Sequence, residues 1–228
     1  MSPAPDAALS LPPLSLYVHL PWCVRKCPYC DFNSHAARDE LPTQRYVEAL
    51  LADLEQDLPL VWGRTVQSIF FGGGTPSLFS ADPFERLLGG FGSLLKIAPG
   101  AEETLEANPG TTERDSFLAY REAGINRISL GVQSFDDQML DTIGRIHGRA
   151  EVERSLESIR RSGIENFNLD LMFALPGQGI ESAVNDVRLA LASGPTHLSH
   201  YQLTLEPNTA FYANPPQVAG GLRRKPCW

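Results

Sequence analysis

The sequence predicts an α/β fold of the parallel (β/α) kind, a partial barrel of about six strands with the helices outside. Three observations carry this. Short apolar runs alternate along the chain with longer segments of helical period. Glycines stand at the ends of several of the helical segments. Polar residues collect just after the apolar runs, on the face where barrel enzymes place their chemistry. A doubly wound sheet satisfies the first two observations equally well, and the third favours the barrel.

Taken in order, the apolar runs at 14–19 (LSLYVH), 68–71 (SIFF), 104–107 (TLEA), 127–132 (RISLGV), 168–173 (NLDLMF) and 198–205 (LSHYQLTL) read as buried strands. Between the first two, Tyr46, Val47, Leu50, Leu51, Leu54 and Leu58 recur at helical spacing. Asp82, Pro83 and Glu85 supply an N-cap, a first-turn proline and a capping-box glutamate ahead of Leu87, Leu88 and Phe91. Helices at 112–123, 151–162 and 181–192 follow, stopped by Gly124, Gly163 and Gly194. A repeated strand-helix order requires parallel strands with crossover helices.

A chain of 228 residues buries one sizeable core as a single domain. Its formal charge of −8 argues against a general nucleic-acid binder and against an anionic-membrane binder, which carry basic patches. No apolar run approaches the length of a bilayer span, and MSPAPDAALS has neither the basic nor the apolar part of a signal peptide. A cytoplasmic protein is expected, with a flexible lead at 1–13, a core domain at 14–212 and an atypical tail at 213–228.

CVRKCPYC places Cys23, Cys27 and Cys30, three of the four cysteines, directly after the first strand. In a reducing compartment a tight cysteine group reads as a metal site rather than a disulfide framework. Zinc requires a closed fourth ligand, which His19, His35, Asp31 or the remote Cys227 would have to supply. An iron–sulfur cluster with one iron left open uses the three thiolates alone. After the second strand comes Phe71-Gly72-Gly73-Gly74-Thr75-Pro76, whose glycines permit close approach of a ligand to the backbone.

Together, C-x3-C-x2-C after strand one and the glycine loop after strand two resemble the radical S-adenosylmethionine (SAM) superfamily. That resemblance implies a 4Fe-4S cluster on three cysteines, with the fourth iron chelated by the amino and carboxylate groups of SAM. It narrows on YVHLPWC at 17–23, GGGTP, LEANP at 105–109, SLGVQSF at 129–135, GRIH at 144–147, DLM at 170–172 and LPGQ at 175–178. These occur in order over about 14–216 and resemble the oxygen-independent coproporphyrinogen III oxidase group. The oxidase carries a further cysteine two residues beyond the third cluster ligand, whereas Asp31-Phe32 follows Cys30 here. That matches the HemW branch, whose members are taken to be haem chaperones.

The resemblance implies roles position by position. Tyr17 would lie beside the cluster-bound SAM, or otherwise be an interior barrel tyrosine. Gly73 would contact that SAM through its backbone, and Gly74 and Thr75 would touch a second SAM. Glu106 would accept hydrogen bonds from a ribose diol; an acid between Leu105 and Ala107 is costly to bury unpaired. Gln133, Arg145 and Asp170 would complete the second SAM site, with a surface arginine the competing reading of Arg145. His147, His197 and His200 read as structural.

After 213–216 the chain departs from the group. QVAGGLRRKPCW replaces an acidic helix start, and a His-Asn-x-x-Tyr-Trp segment associated with haem binding is not present. The expectation is a truncated or frame-shifted product, with Cys227 an accidental cysteine and strand six an exposed edge. Two functions stay open. A haem chaperone would hold cluster and SAM, with haem as cargo and an unidentified acceptor protein. A coproporphyrinogen oxidase would use one electron from a donor protein to release methionine and a 5′-deoxyadenosyl radical, which abstracts hydrogen from a porphyrinogen propionate. A zinc-stabilised α/β protein is the third alternative.

Overall fold

The computed structural model describes residues 11–37, 40–110 and 117–217. Six parallel strands form one sheet: β1 (Leu14–Leu20), β4 (Thr65–Gly73), β5 (Lys96–Ala107), β6 (Arg127–Gln133), β7 (Asn166–Phe173) and β8 (His197–Gln202). They lie side by side in chain order. A doubly wound sheet reverses its order at a switch point, and this one does not. Right-handed crossovers in unbroken order put the crossover helices on one face, which curls the sheet toward an open barrel. Two-residue strands β2 (Trp22–Cys23) and β3 (His35–Ala36) pair separately, at the carboxyl end of β1.

The helices cover the outer face as the apolar spacing requires. They are α1 (Thr43–Val61), α2 (Ala81–Leu94), α3 (Phe117–Glu122), α5 (Arg149–Ser162) and α6 (Ile180–Ala192); α4 (Asp137–Thr142) and the short α7 (Ala210–Ala213) instead place Met139 and Phe211 in a separate apolar cluster. Val47, Phe84, Leu87, Phe117, Leu156 and Ala190 join Val18, Ile69, Phe71, Leu105, Ile128, Leu130 and Leu169 in one buried cluster. Phe84 is its hub, edge-on to Phe71 at 5.1 Å and to Tyr120 at 5.7 Å. Among the described residues no helix is long and apolar enough to cross a membrane.

Several local expectations change. The N-cap of α2 is Ser80, not Asp82, which sits in the first turn; Ser80 makes no side-chain cap bond, so no capping box forms there. The predicted helix at 112–123 is helical over Phe117–Glu122, and 111–116 fall outside the described residues. The last strand ends at Gln202 rather than at 205. Leu203 leaves the sheet to enter a second apolar cluster with Met139, Ile143, Met172 and Leu175, against which Tyr29 and Phe211 pack. The helix α4 carries too few residues to show a period, yet Asp136 caps it, accepting from the N–H groups of Gln138 and Met139.

Among the described residues β8 pairs with β7 alone, and α6 leaves Ile180 87 % and Leu191 63 % exposed beside it. Of the expected tail at 213–228, Ala213 ends α7 and residues 218–228, Cys227 among them, lie outside the described residues. Replacing Phe84 by Ala removes the hub of the outer core and is expected to cost about 3–5 kcal/mol, read as a lowered urea midpoint with unchanged slope. A loss below about 1 kcal/mol would place the core's centre elsewhere.

Candidate functional site

The cysteines sit on the loop that leaves β1. The β2–β3 pair closes it: the His35 N–H donates to Pro21 O (2.7 Å) and the Ala37 N–H to Cys23 O (2.8 Å). Within it the Cys30 N–H turns back to Cys27 O (3.1 Å), and Lys26 Nζ donates to Phe32 O (2.8 Å). All three thiols are free; Cys23 is buried, and Cys27 and Cys30 are half-buried. Burial pushes the Cys30 thiol up, against the pull of the Phe32 backbone and the Ser34 hydroxyl.

A closed zinc site would need a fourth ligand beside the three thiols. His19 is engaged at both ring nitrogens, with the Tyr17 hydroxyl at 2.9 Å and Asn33 O at 2.8 Å. Asp31 and His35 are exposed. Three free thiols on one loop, all lining one cavity, would suit a cluster that leaves one iron open.

The glycine loop is hooked to the cysteine loop. The Gly74 N–H donates to Leu20 O (2.8 Å) and the Thr75 N–H to Trp22 O (2.7 Å), while the Gly73 N–H donates to Glu106 Oε2 (3.1 Å). Gly73 holds φ at +115°, and a Cβ there would meet the His19 ring at 2.5 Å. At Gly74 a Cβ would meet Trp22 O at 2.5 Å. With these N–H groups engaged, the loop's backbone offers a ligand acceptors, which suits an ammonium rather than a phosphate.

Carboxylates and amides complete the cavity from the concave side of the sheet. Glu106 points inward between Leu105 and Ala107, and burial, with Asp170 nearby, raises its pKa to about 7 against the Gly73 bond. Asp170 accepts from the Ser129 hydroxyl (2.9 Å) and Asn168 Nδ2 (2.9 Å); burial still raises its pKa. Gln133 holds φ at 70°, and its Oε1 accepts from the Tyr201 hydroxyl at 2.9 Å. Arg145 Nη2 donates to Asn108 Oδ1 (2.6 Å) and Gly131 O (2.7 Å), and Nη1 lies 3.5 Å from Cys27 Sγ. Its Nε is buried without a partner, so this is no surface arginine. Burial disfavours its charge, but neighbouring Tyr29 and Cys27 outweigh that and raise its pKa.

A cavity of about 480 Å³ is lined by the three cysteines, by Gly73, Gly74 and Thr75, and by Glu106, Gln133, Arg145 and Asp170. Tyr17 stands apart from the lining: it is 57 % exposed on the concave side of β1, stacked on Phe70 at 6.2 Å. Sequence reasoning missed Asn108, whose Nδ2 donates to Thr75 Oγ1 (2.9 Å) while its oxygen serves Arg145. It missed Tyr201 as well, although alternation with Ser199 on the last strand marks both as inward-facing. Of the three histidines read as structural, His147 is buried, with burial and then Arg145 lowering its pKa to about 4; His200 lies tilted against Phe173 at 4.8 Å, and His197 Nδ1 meets Thr196 Oγ1 at 3.0 Å.

Residues 17–190 match the model of the radical SAM superfamily. Heme chaperone HemW of Escherichia coli K12 is 54 % identical over 91 % of this chain and 55 % of its own length. Radical S-adenosyl methionine domain-containing protein 1, mitochondrial, of mouse is 37 % identical over 94 % of this chain and 48 % of its own. The chain thus spans about half the length of the curated relatives it matches. Among solved structures, coproporphyrinogen III oxidase (HemN) from Escherichia coli, a radical SAM enzyme, superposes with a TM-score of 0.77 at 31 % identity, covering 88 % of this chain and 46 % of that one.

The buried Glu106 makes a pH-dependent contribution to stability. Its folded pKa of about 7 lies above the ordinary 4.5, so the folded chain binds a proton the unfolded chain releases between those values. Stability is therefore lost as pH rises from about 4.5 through 7, by on the order of 3 kcal/mol. Urea unfolding of cluster-free Glu106→Gln should lack this slope, and identical slopes in the two proteins would contradict the assignment.

Proposed function

This chain belongs to the radical SAM superfamily, and from that premise we propose that it is the cluster- and SAM-binding part of a HemW-type haem chaperone. Membership implies a 4Fe-4S cluster and SAM. When bound, the cluster supplies an electron for reductive cleavage of SAM. The single observation that carries the reading is the convergence of three free thiols and the glycine loop on one cavity walled by buried polar groups.

Each residue has a part in this reading. Cys23, Cys27 and Cys30 hold the cluster. The carbonyls of the glycine loop receive the SAM ammonium, and Glu106, fixed by the Gly73 N–H, accepts from a ribose. Gln133 and Asp170 face the same space, and Arg145 supplies positive charge beside Cys27 and toward a carboxylate. A second SAM would be met by Gly74 and Thr75. Haem is the cargo, passed to an acceptor protein, and a donor protein reduces the cluster.

Asp31-Phe32 after Cys30 supports the chaperone. A second reading, coproporphyrinogen oxidase, is favoured by the likeness to HemN. The discriminating experiment supplies the reconstituted full-length protein with SAM, a reductant and coproporphyrinogen III, and separately with haem and a haem-depleted acceptor. Haem binding and transfer without decarboxylated porphyrin is expected; decarboxylated product would establish the oxidase.

Two substitution series check the site. Cys23→Ala, Cys27→Ala and Cys30→Ala should each abolish iron retention after anaerobic reconstitution, while Cys227→Ser leaves it unchanged; zinc in every preparation would sink the assignment. Glu106→Ala should keep the cluster's visible spectrum and weaken SAM binding by about 1.5–3 kcal/mol, the range for a charged hydrogen bond. Unaltered affinity would make Glu106 a structural residue.

A further inference from the structure

Asp186 is a carboxylate that the proposed site does not use. It is 1 % exposed, on the inner side of α6, and it does not line the cavity. Its Oδ1 accepts from the Phe135 N–H at 2.8 Å; its Oδ2 accepts from the Ser134 hydroxyl at 2.8 Å and from Gln178 Nε2 at 3.3 Å. Ser134 Oγ also accepts from the Asp136 N–H (3.1 Å), and Gln178 Oε1 from the Leu175 N–H (3.2 Å). One buried carboxylate thus ties α6 to the loop after β6 and to the loop after β7.

Those two loops are where the backbone leaves sheet geometry on its way past the cavity. Gln133, directly before Ser134, has φ at 70°, and Ala174, directly before Leu175, has φ at 57°. Non-glycine residues are held at such angles only when their surroundings over-determine them. The β6–β7 register also shifts between Gly131 and Gln133. Alternation from Ser129 and Gly131 already sets Gln133 on the concave face; an extended backbone at Gln133 would instead carry Ser134 and Phe135 onward along the strand, away from the Asp186 carboxylate. As held, the side chain accepts from Tyr201 and faces the cavity.

We propose that Asp186 is a positioning residue for the adenosyl ligand. By anchoring Ser134 and Phe135 it holds Gln133 in the left-handed conformation and so fixes the position of its amide at the cavity, without itself touching the ligand. The inference rests on the reading that this cavity binds SAM.

A double-mutant cycle on the cluster-reconstituted full chain tests it, with SAM affinity measured by equilibrium dialysis and the cluster spectrum and melting temperature recorded for each protein. Asp186→Asn and Gln133→Ala should each weaken SAM binding about tenfold. The double variant should bind no more weakly than Gln133→Ala alone, because Asp186 acts through Gln133. Additive losses, or a lowered melting temperature with unchanged affinity, would overturn the inference and leave Asp186 as a folding residue. Unchanged affinity in Gln133→Ala would overturn the reading of the cavity, and the inference with it. Should Asp186→Asn fail to fold, Ser134→Ala removes one donor to the same carboxylate and completes the cycle with the same expected outcomes.

Discussion

The sheet has to bury one face against its helices, and everything in the cavity follows from where the other face then points. Side chains alternate across a strand, so Leu105 and Leu169 in the outer core dictate that Glu106 and Asp170 turn inward. Six parallel strands in unbroken order place all such inward groups on one concave surface. Buried charges there are costly unless hydrogen-bonded. The strands meet that cost among themselves: Asn168 donates to Ser129 and Asp170 while accepting from Ser199, and Glu102 lies 3.6 Å from Arg127.

The loops at the carboxyl ends of the strands turn this polar surface into a site. Neither the cysteine loop nor the glycine loop stands alone, because Gly74 and Thr75 bond to the backbone that carries Cys23 into place. Support comes from below as well. Tyr29 and Phe211 pack on the Met139, Ile143, Met172, Leu175 and Leu203 cluster, and the Phe211 N–H donates to Pro28 O. The chain after the last strand is therefore tied to the loop that presents the thiols. Arg145 joins the two halves, contacting Asn108, Gly131 and Cys27 from a loop after α4.

Much of this was legible in the sequence because it depends on local pattern. Apolar runs marked every strand of the main sheet, glycines marked helix ends, and cysteine spacing with the glycine run marked the site. An acid inside NLDLMF announced an inward-facing group, since no solvated face is available between such neighbours. What escaped depends on contacts distant in the chain. Asp186 in AVNDVRL looks like an ordinary polar position on a helix, and only the fold sets it against Ser134 and Phe135. Asn108 gains its importance from residues that flank it in space, Thr75 and Arg145. Arg145 could be a surface residue on sequence grounds, and only the fold sets it against Asn108, Gly131 and Cys27. The N-cap at Ser80 differs from the expected Asp82 because helix starts are read to within a residue or two.

The central claim is that thiols, glycine loop and concave polar face form one site for a cluster and SAM together. Electron paramagnetic resonance of the reduced, anaerobically reconstituted protein, recorded with and without SAM, tests it most directly. The account predicts a 4Fe-4S signal whose shape changes when SAM is added, because the ligand binds at the open iron. A reduced cluster with an identical signal in saturating SAM would contradict it.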